Sequence, residues 1–314
     1  MMLKRILCFM LSIILPVSLA ACGGSDPTEP TPAPTQAVTA APTEESTGVP
    51  DDGSIDLTAF IREFRRDAAI EEQVVYDAEG VTVTATGIRY DSITGAAILL
   101  SVQNTTGEDL LVQMAAAAVN GYMMEVDFSL AVDAEKSAEG EMVVPYTALA
   151  LANLDVIATV ELSVQLVDRS SYEVLTDCEP VVILTTAAAD HEQTYDESGQ
   201  IAWDANGVKI VIKGVDTGRR IADESVLIVY LYNGSENAVS IQSANVTVNG
   251  YEMTSAMTAT VLPGKHAMDV VTFFDPDLEE HDIQQIDTVD IRFRIFDAET
   301  WTVIAETPLI SVEL

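Results

Sequence analysis

Few side chains in this chain have the type and spacing to act as ligand, base or nucleophile. Among 314 residues there are three His and three Cys. His191, His266 and His281 stand far apart, and none has a second His at ligand spacing, so no zinc site is assembled. Cys178 lies in a strand-rich stretch with no His near it in sequence and reads as a small buried hydrophobe. Neither a Gly-x-Ser-x-Gly elbow nor a Gly-rich phosphate loop is present. The densest set of hard ligands is Asp275-Pro-Asp277-Leu-Glu279-Glu280-His281-Asp282, a donor type that suits Ca²⁺. A helix–loop–helix calcium loop needs Gly at its sixth position, where Glu280 stands. The equivalent stretch of the repeat described next, 146–153, has no acid. The run therefore reads as a solvated acidic loop. No enzyme, metal or cofactor is expected.

The elements that carry these residues come from a tandem duplication. Gln73 to Val81 matches Gln200 to Val208. Val119-Asn120-Gly121-Tyr122 recurs as Val248-Asn249-Gly250-Tyr251, and Thr159 to Asp168 recurs as Thr288 to Asp297. One unit spans 71–186, a linker 187–194, and the second unit 195–314. A repeat this long is a duplicated domain rather than a solenoid. Each copy reads as strands. Val81, Val83 and Ala85 alternate with threonines, and Val208, Ile210 and Ile212 alternate with Lys209, Val211 and Lys213. Period two predicts one buried and one wet face. Asn206-Gly207 predicts a type I′ hairpin turn. Seven or eight short strands per unit give the rhythm of an immunoglobulin-like β-sandwich, with a closed barrel as the alternative. The expected fold is all-β: two tandem sandwiches, preceded by one short amphipathic helix in 55–70. That helix is drawn by Leu57, Phe60, Ile61 and Phe64 at i, i+3, i+4 and i+7, with Asp56 as N-cap. Arg62, Arg65 and Arg66 either form its solvated outer face or touch an anionic envelope surface.

The amino terminus carries the strongest signal. Lys4 and Arg5 precede an apolar run from Ile6 to Leu19. At about 14 residues it is short for a membrane span of roughly 20, and it reads as a signal peptide, 1–21. Leu19-Ala20-Ala21-Cys22 resembles the lipobox of bacterial lipoproteins, which implies that Cys22 is lipidated and becomes the mature amino terminus. Residues 22–54 follow as a tether. From 23 to 54 it holds six Pro, six Thr and six acids but no base, a composition unable to bury a core. The run Leu227–Asn233, then Val248 to Tyr251, then Leu278 through Asp297, resembles immunoglobulin-like domains of unknown function in surface lipoproteins of Gram-positive bacteria. That resemblance implies attachment by lipid to the extracytoplasmic face of the membrane and supplies no catalytic residue.

Fifteen bases against fifty acids give a net charge of −35, which argues against nucleic acid as a partner. The sequons at Asn104, Asn233 and Asn245 read as coincidence. Tyr76 and Trp203, and Tyr172 and Trp301, occupy equivalent places and read as core or rim packing. One difference between the copies draws attention. If Leu227, Val229 and Leu231 point inward, Ile228, Tyr230 and Tyr232 point outward, where the first unit has Leu99, Ser101 and Gln103. With this strand C-like and paired with the F-like strand, Arg292 and Arg294 would join them on one face. Tyr and Arg are enriched in binding hot spots. The competing readings are that Tyr and Arg pair across strands, or that the face packs on the first domain. The expected function is a surface-anchored binding module for a protein or cell-wall glycan, the alternative being an envelope-assembly part without a small ligand.

Overall fold

The computed structural model describes residues 56–218, 222 and 224–313. The expected signal peptide 1–21, the expected lipidation site Cys22 and the expected tether 22–54 lie outside them. Among the described residues no helix is long and apolar enough to cross a membrane.

The first unit runs α1 (Leu57–Glu63), β1 (Gln73–Ala78), β2 (Val81–Tyr90), β3 (Gly95–Asn104), β4 (Leu110–Val119), β5 (Tyr122–Met123), β6 (Ser129–Val132), β7 (Ser137–Pro145), α2 (Tyr146–Leu151), β8 (Thr159–Asp168), β9 (Val174–Asp177) and β10 (Val181–Leu184). The second repeats it as β11 (Gln200–Ala205), β12 (Val208–Asp216), β13 (Ser225–Asn233), β14 (Val239–Val248), β15 (Tyr251–Glu252), β16 (Ser255–Ala256), β17 (Thr258–Val261), β18 (Lys265–Phe273), α3 (Asp275–Glu280), β19 (Thr288–Asp297), β20 (Val303–Glu306) and β21 (Ile310–Glu313). Each unit is a two-sheet, immunoglobulin-like sandwich. In the first, β1-β2-β3-β7 lies over β10-β8-β4. In the second, β11-β12-β13-β18 lies over a sheet built on β14 and β19.

Alternation builds both cores. Val81, Val83 and Ala85 of β2 and Ile98, Leu100 and Val102 of β3 are buried together in the first unit. Val208, Ile210 and Ile212 of β12 and Leu227, Val229 and Leu231 of β13 do the same in the second. Each fully buried aliphatic side chain contributes about 1.5–3 kcal/mol. Asn206 and Gly207 both take positive φ, 56° and 76°, the geometry of a type I′ turn. Glu79 and Gly80 repeat it in the first unit at 54° and 80°.

Duplicated asparagines lock equivalent corners. Asn120 accepts backbone N–H bonds from Ala158 and Thr159 and donates to the Val156 carbonyl. Asn249 accepts from Asp287 and Thr288 and donates to Gln285. Asn104 and Asn233 are 1% and 0% exposed. Their amides donate to the carbonyls of Glu108 and Asn237, and their oxygens accept from the N–H groups of Thr106 and Ser235. These two sequon asparagines are therefore structural.

The amphipathic helix is shorter than its pattern suggested. It is capped by Asp56, which accepts the Ala59 N–H, and it ends before Phe64. Leu57, Phe60, Ile61 and Phe64 pack on the first unit's core. Each nearby base has a local partner: Arg62 with Glu63, Arg65 with Asp67, and Arg66 with the Tyr146 hydroxyl. The acidic run is not an extended loop. Its first six residues form α3, with Pro276 near its start, and its counterpart in the first unit forms α2. Tyr172 and Trp301 are not strand residues. Both sit in tight turns with positive φ, 58° and 56°, and both are exposed.

The wet-face expectation fails for the second unit. Val211 and Tyr230, on the outer face of β12 and β13, are fully buried and belong to the first unit's core cluster. The lower sheet of unit one runs on into the upper sheet of unit two through β5. That strand pairs antiparallel with β4 and meets β18 in a parallel bridge at Tyr122 and His266.

Candidate functional site

The five residues expected to share a face are divided between two sheets. β13 pairs with β12 and β18, whereas β19, bearing Arg292 and Arg294, pairs with β14. The hairpin β11–β12 adds a strand ahead of the usual count. β13 is consequently the B-like strand of an A-B-E sheet, and β19 is F-like in the other. Arg294 Nε lies 2.9 Å from Glu306 Oε2 and Arg292 Nη1 lies 3.8 Å from Glu306 Oε1. Ile228 and Tyr230 are buried, and Tyr232 is half-buried.

The covered part of that face is an aromatic junction centred on His266. Its backbone N–H donates to the Gly121 carbonyl at 3.0 Å. Its ring stacks on Tyr195 at 3.5 Å between centroids and on Tyr232 at 4.7 Å. Its Nδ1 lies 2.6 Å from the Tyr230 hydroxyl, which also approaches Glu197 at 3.2 Å. Glu197 pairs with Lys209 at 2.6 Å. Burial holds the His266 ring down to about 4; Glu197 opposes this and Lys265 adds to it. The ring is thus neutral at physiological pH. Burial likewise pushes the Tyr230 hydroxyl up, with the Glu197 charge acting in the same direction. A half-buried ion pair, Lys265 Nζ to Glu161 Oε2 at 2.7 Å, joins the two units beside it. The Tyr230 hydroxyl, His266 Nδ1, Glu197 and Lys209 form one connected polar chain, so the junction reads as a joint.

Beside the joint the two units separate and leave a cavity of about 850 Å³. The first unit supplies Met114 from β4, Met123 and Met124, and the turn of α2. The second supplies β17 and the edge of β18 with Met268. Its charged lining among the described residues is acidic only: Glu125, Asp127 and Asp269. Asp269 is half-buried. One of its oxygens accepts the Val270 N–H at 2.7 Å. Burial pushes the carboxyl up to about 6, and the neighbouring Glu125 charge adds to the shift. An apolar cavity between domains, with few polar groups and one perturbed carboxyl, has the features of a binding site.

Sequence reasoning missed Asp269, although a signal existed. It stands at the inward parity of β18, between Ala267 and Val271, where the first unit has Gly140. Among the described residues no group of three or more His, Cys, Asp or Glu is arranged to hold a metal ion.

No family model matches the chain, and no curated protein matches it. Solved structures that resemble it include the YadV chaperone, at 12% identity and a TM-score of 0.23, covering 75% of this chain and 100% of that one. The Salmonella enterica SafA pilin in complex with the SafB chaperone matches at 14% identity and a TM-score of 0.23, covering 76% and 99%. The exo-chitosanase CsxA of Amycolatopsis orientalis matches at 17% identity and a TM-score of 0.22, covering 72% and 26%. Likenesses of this strength carry no argument about activity or partner.

Proposed function

We propose that this chain is a lipid-anchored binding protein of the extracytoplasmic face of a bacterial membrane. In this reading Cys22 carries the lipid, residues 22–54 form the spacer, and the paired sandwiches present a groove to a protein or cell-wall glycan. The observation that supports the binding half is the acidic, methionine-rich cavity along the seam of the two units. Such a cavity serves a binder, and among the described residues no nucleophile–base pair lines it. Anchoring rests on the leader and the residues around Cys22.

The experiment has two arms. In cells, Cys22→Ala is expected to release the protein from membranes or stall its processing; unchanged membrane retention and cleavage would remove the anchor from the account. In vitro, the immobilised full chain is expected to retain a protein, peptide or glycan from a cell-wall extract. Substitution of Met268 should abolish that retention, while Arg292→Ala and Arg294→Ala should leave it intact. Retention lost with the arginines and kept with the groove variants would move the site to the outer face of β19.

A further inference from the structure

We propose that the groove binds an extended basic peptide, which adds as a strand to the open edge of β18 and sets a Lys or Arg side chain against Asp269. The inference rests on the binding-protein reading above and names the class of partner.

The first support is a gap in the sheet. β18 is paired along its whole length with β13 on one side. On the other side β5 meets it only at His266, and β16 takes it up again at Thr272 and Phe273. No strand of the described residues pairs with Ala267–Val271 on that side, and β17 lines the far side of the groove. His266 sends its backbone N–H outward to Gly121. By the alternation of an antiparallel strand, the backbone groups of Met268 and Val270 point the same way. The Val270 N–H is taken by Asp269, which leaves the Met268 N–H and C=O and the Val270 C=O toward the groove. Unpaired strand edges are templates for another chain. Five residues of open edge match about 17 Å of extended peptide.

The second support is charge. Asp269, Glu125 and Asp127 face this space without a cationic partner among the described residues. Burial and the Glu125 charge both disfavour the ionised Asp269 carboxylate. A cation placed there would favour its ionised form. The third support is the lining of Met114, Met123, Met124 and Met268, since flexible thioethers accept varied apolar side chains.

The test uses the full chain in detergent and an acetylated, fluorescent pentapeptide alternating valine and lysine. Three controls accompany it: the same peptide with glutamate for lysine, the lysine peptide with alternate backbone N-methyl groups, and butyltrimethylammonium. Saturable binding of the lysine peptide is expected, with a loss of at least tenfold in Asp269→Asn and for the N-methylated peptide, and no binding of the glutamate peptide. Should Asp269→Asn melt abnormally, the exposed double variant Glu125→Gln with Asp127→Asn provides the same readout. Binding that ignores these carboxylates overturns the proposal. So does equal binding of the N-methylated peptide, or full competition by the small cation with no dependence on backbone N–H, either of which would make this a small-cation site. Cys22→Ala should not alter peptide binding, so the anchor and the groove fail separately. A wall component retained equally by wild type and Asp269→Asn would leave the binding reading standing and sink this one.

Discussion

The outer face of β2 and β3 in the first unit and that of β12 and β13 in the second derive from one duplicated pattern and have opposite fates. In β3 the outward residues are Leu99, Ser101 and Gln103, half-buried to exposed. In β13 they are Ile228, Tyr230 and Tyr232, and Tyr230 is 0% exposed. The inward residues of the two strands are equally buried. The copies therefore share a core and differ in what their surface does: one meets water and the other meets its neighbour. An aromatic outer face in one copy of a repeat marks where the copies join, because burying a Tyr ring offsets the cost of fixing the units only if its hydroxyl is also satisfied. Here His266 and Glu197 satisfy it.

The largest test of this contrast is a pair of equivalent substitutions. Tyr230→Ala should lower the stability of the full chain by about 3–5 kcal/mol, as for other buried aromatics. Ser101→Ala, its positional counterpart, should fall within about 0.5 kcal/mol of wild type. Denaturant unfolding monitored by circular dichroism reads both. Similar costs at the two positions would abolish the distinction between the faces.

The next effect is set by pH. His266 is held down to about 4, so its neutral form is the one the folded joint prefers. The stability tied to it is complete above the unfolded value near ~6.5 and is lost as pH falls from there toward 4. Asp269, raised to about 6, acts in the opposite sense: it removes stability as pH climbs from about 4 toward 6. In thermal melts His266→Gln should flatten the acid-side loss and Asp269→Asn should flatten the opposing rise, each by several °C. No change in the pH profile of either variant would show that these groups are solvated.

The contrast also explains what was legible beforehand. The cores, the duplication and the Asn206-Gly207 turn follow from period-two alternation and local turn chemistry, which need only neighbours in sequence. Tyr230 was visible as an anomaly, yet its partners, Tyr195, Glu197 and His266, arrive from the segment just ahead of β11 and from another strand. The supposed Tyr–Arg face failed because the added hairpin shifted the strand count, putting β13 and β19 in different sheets. Asp269 could be noticed by comparing it with Gly140. The groove beside it depends on how the two units meet, which no local pattern encodes.

A smaller effect is expected at the ion pair between the units. A double-mutant cycle on Lys265→Met and Glu161→Gln should give a coupling of about 1 kcal/mol, above that of most exposed pairs because both groups are half-buried. Zero coupling would mean that the aromatic residues alone hold the joint. The smallest effect is expected where the first expectation placed the site: Arg292→Ala and Arg294→Ala should each cost no more than about 0.5 kcal/mol, since they pair with Glu306 on a solvated face. A loss of 2 kcal/mol or more at either one, read by the same denaturant titration, would show that this face is covered too.

The central claim is that the outer face of β12 and β13 is sealed against the first unit, and hydroxyl-radical footprinting of the native full chain with residue-level mass spectrometry tests it most directly. Tyr230 and His266 should resist oxidation while Tyr172, 74% exposed, and Trp301, 53% exposed, react rapidly. Oxidation of Tyr230 at a rate comparable to that of Tyr172 would contradict the account.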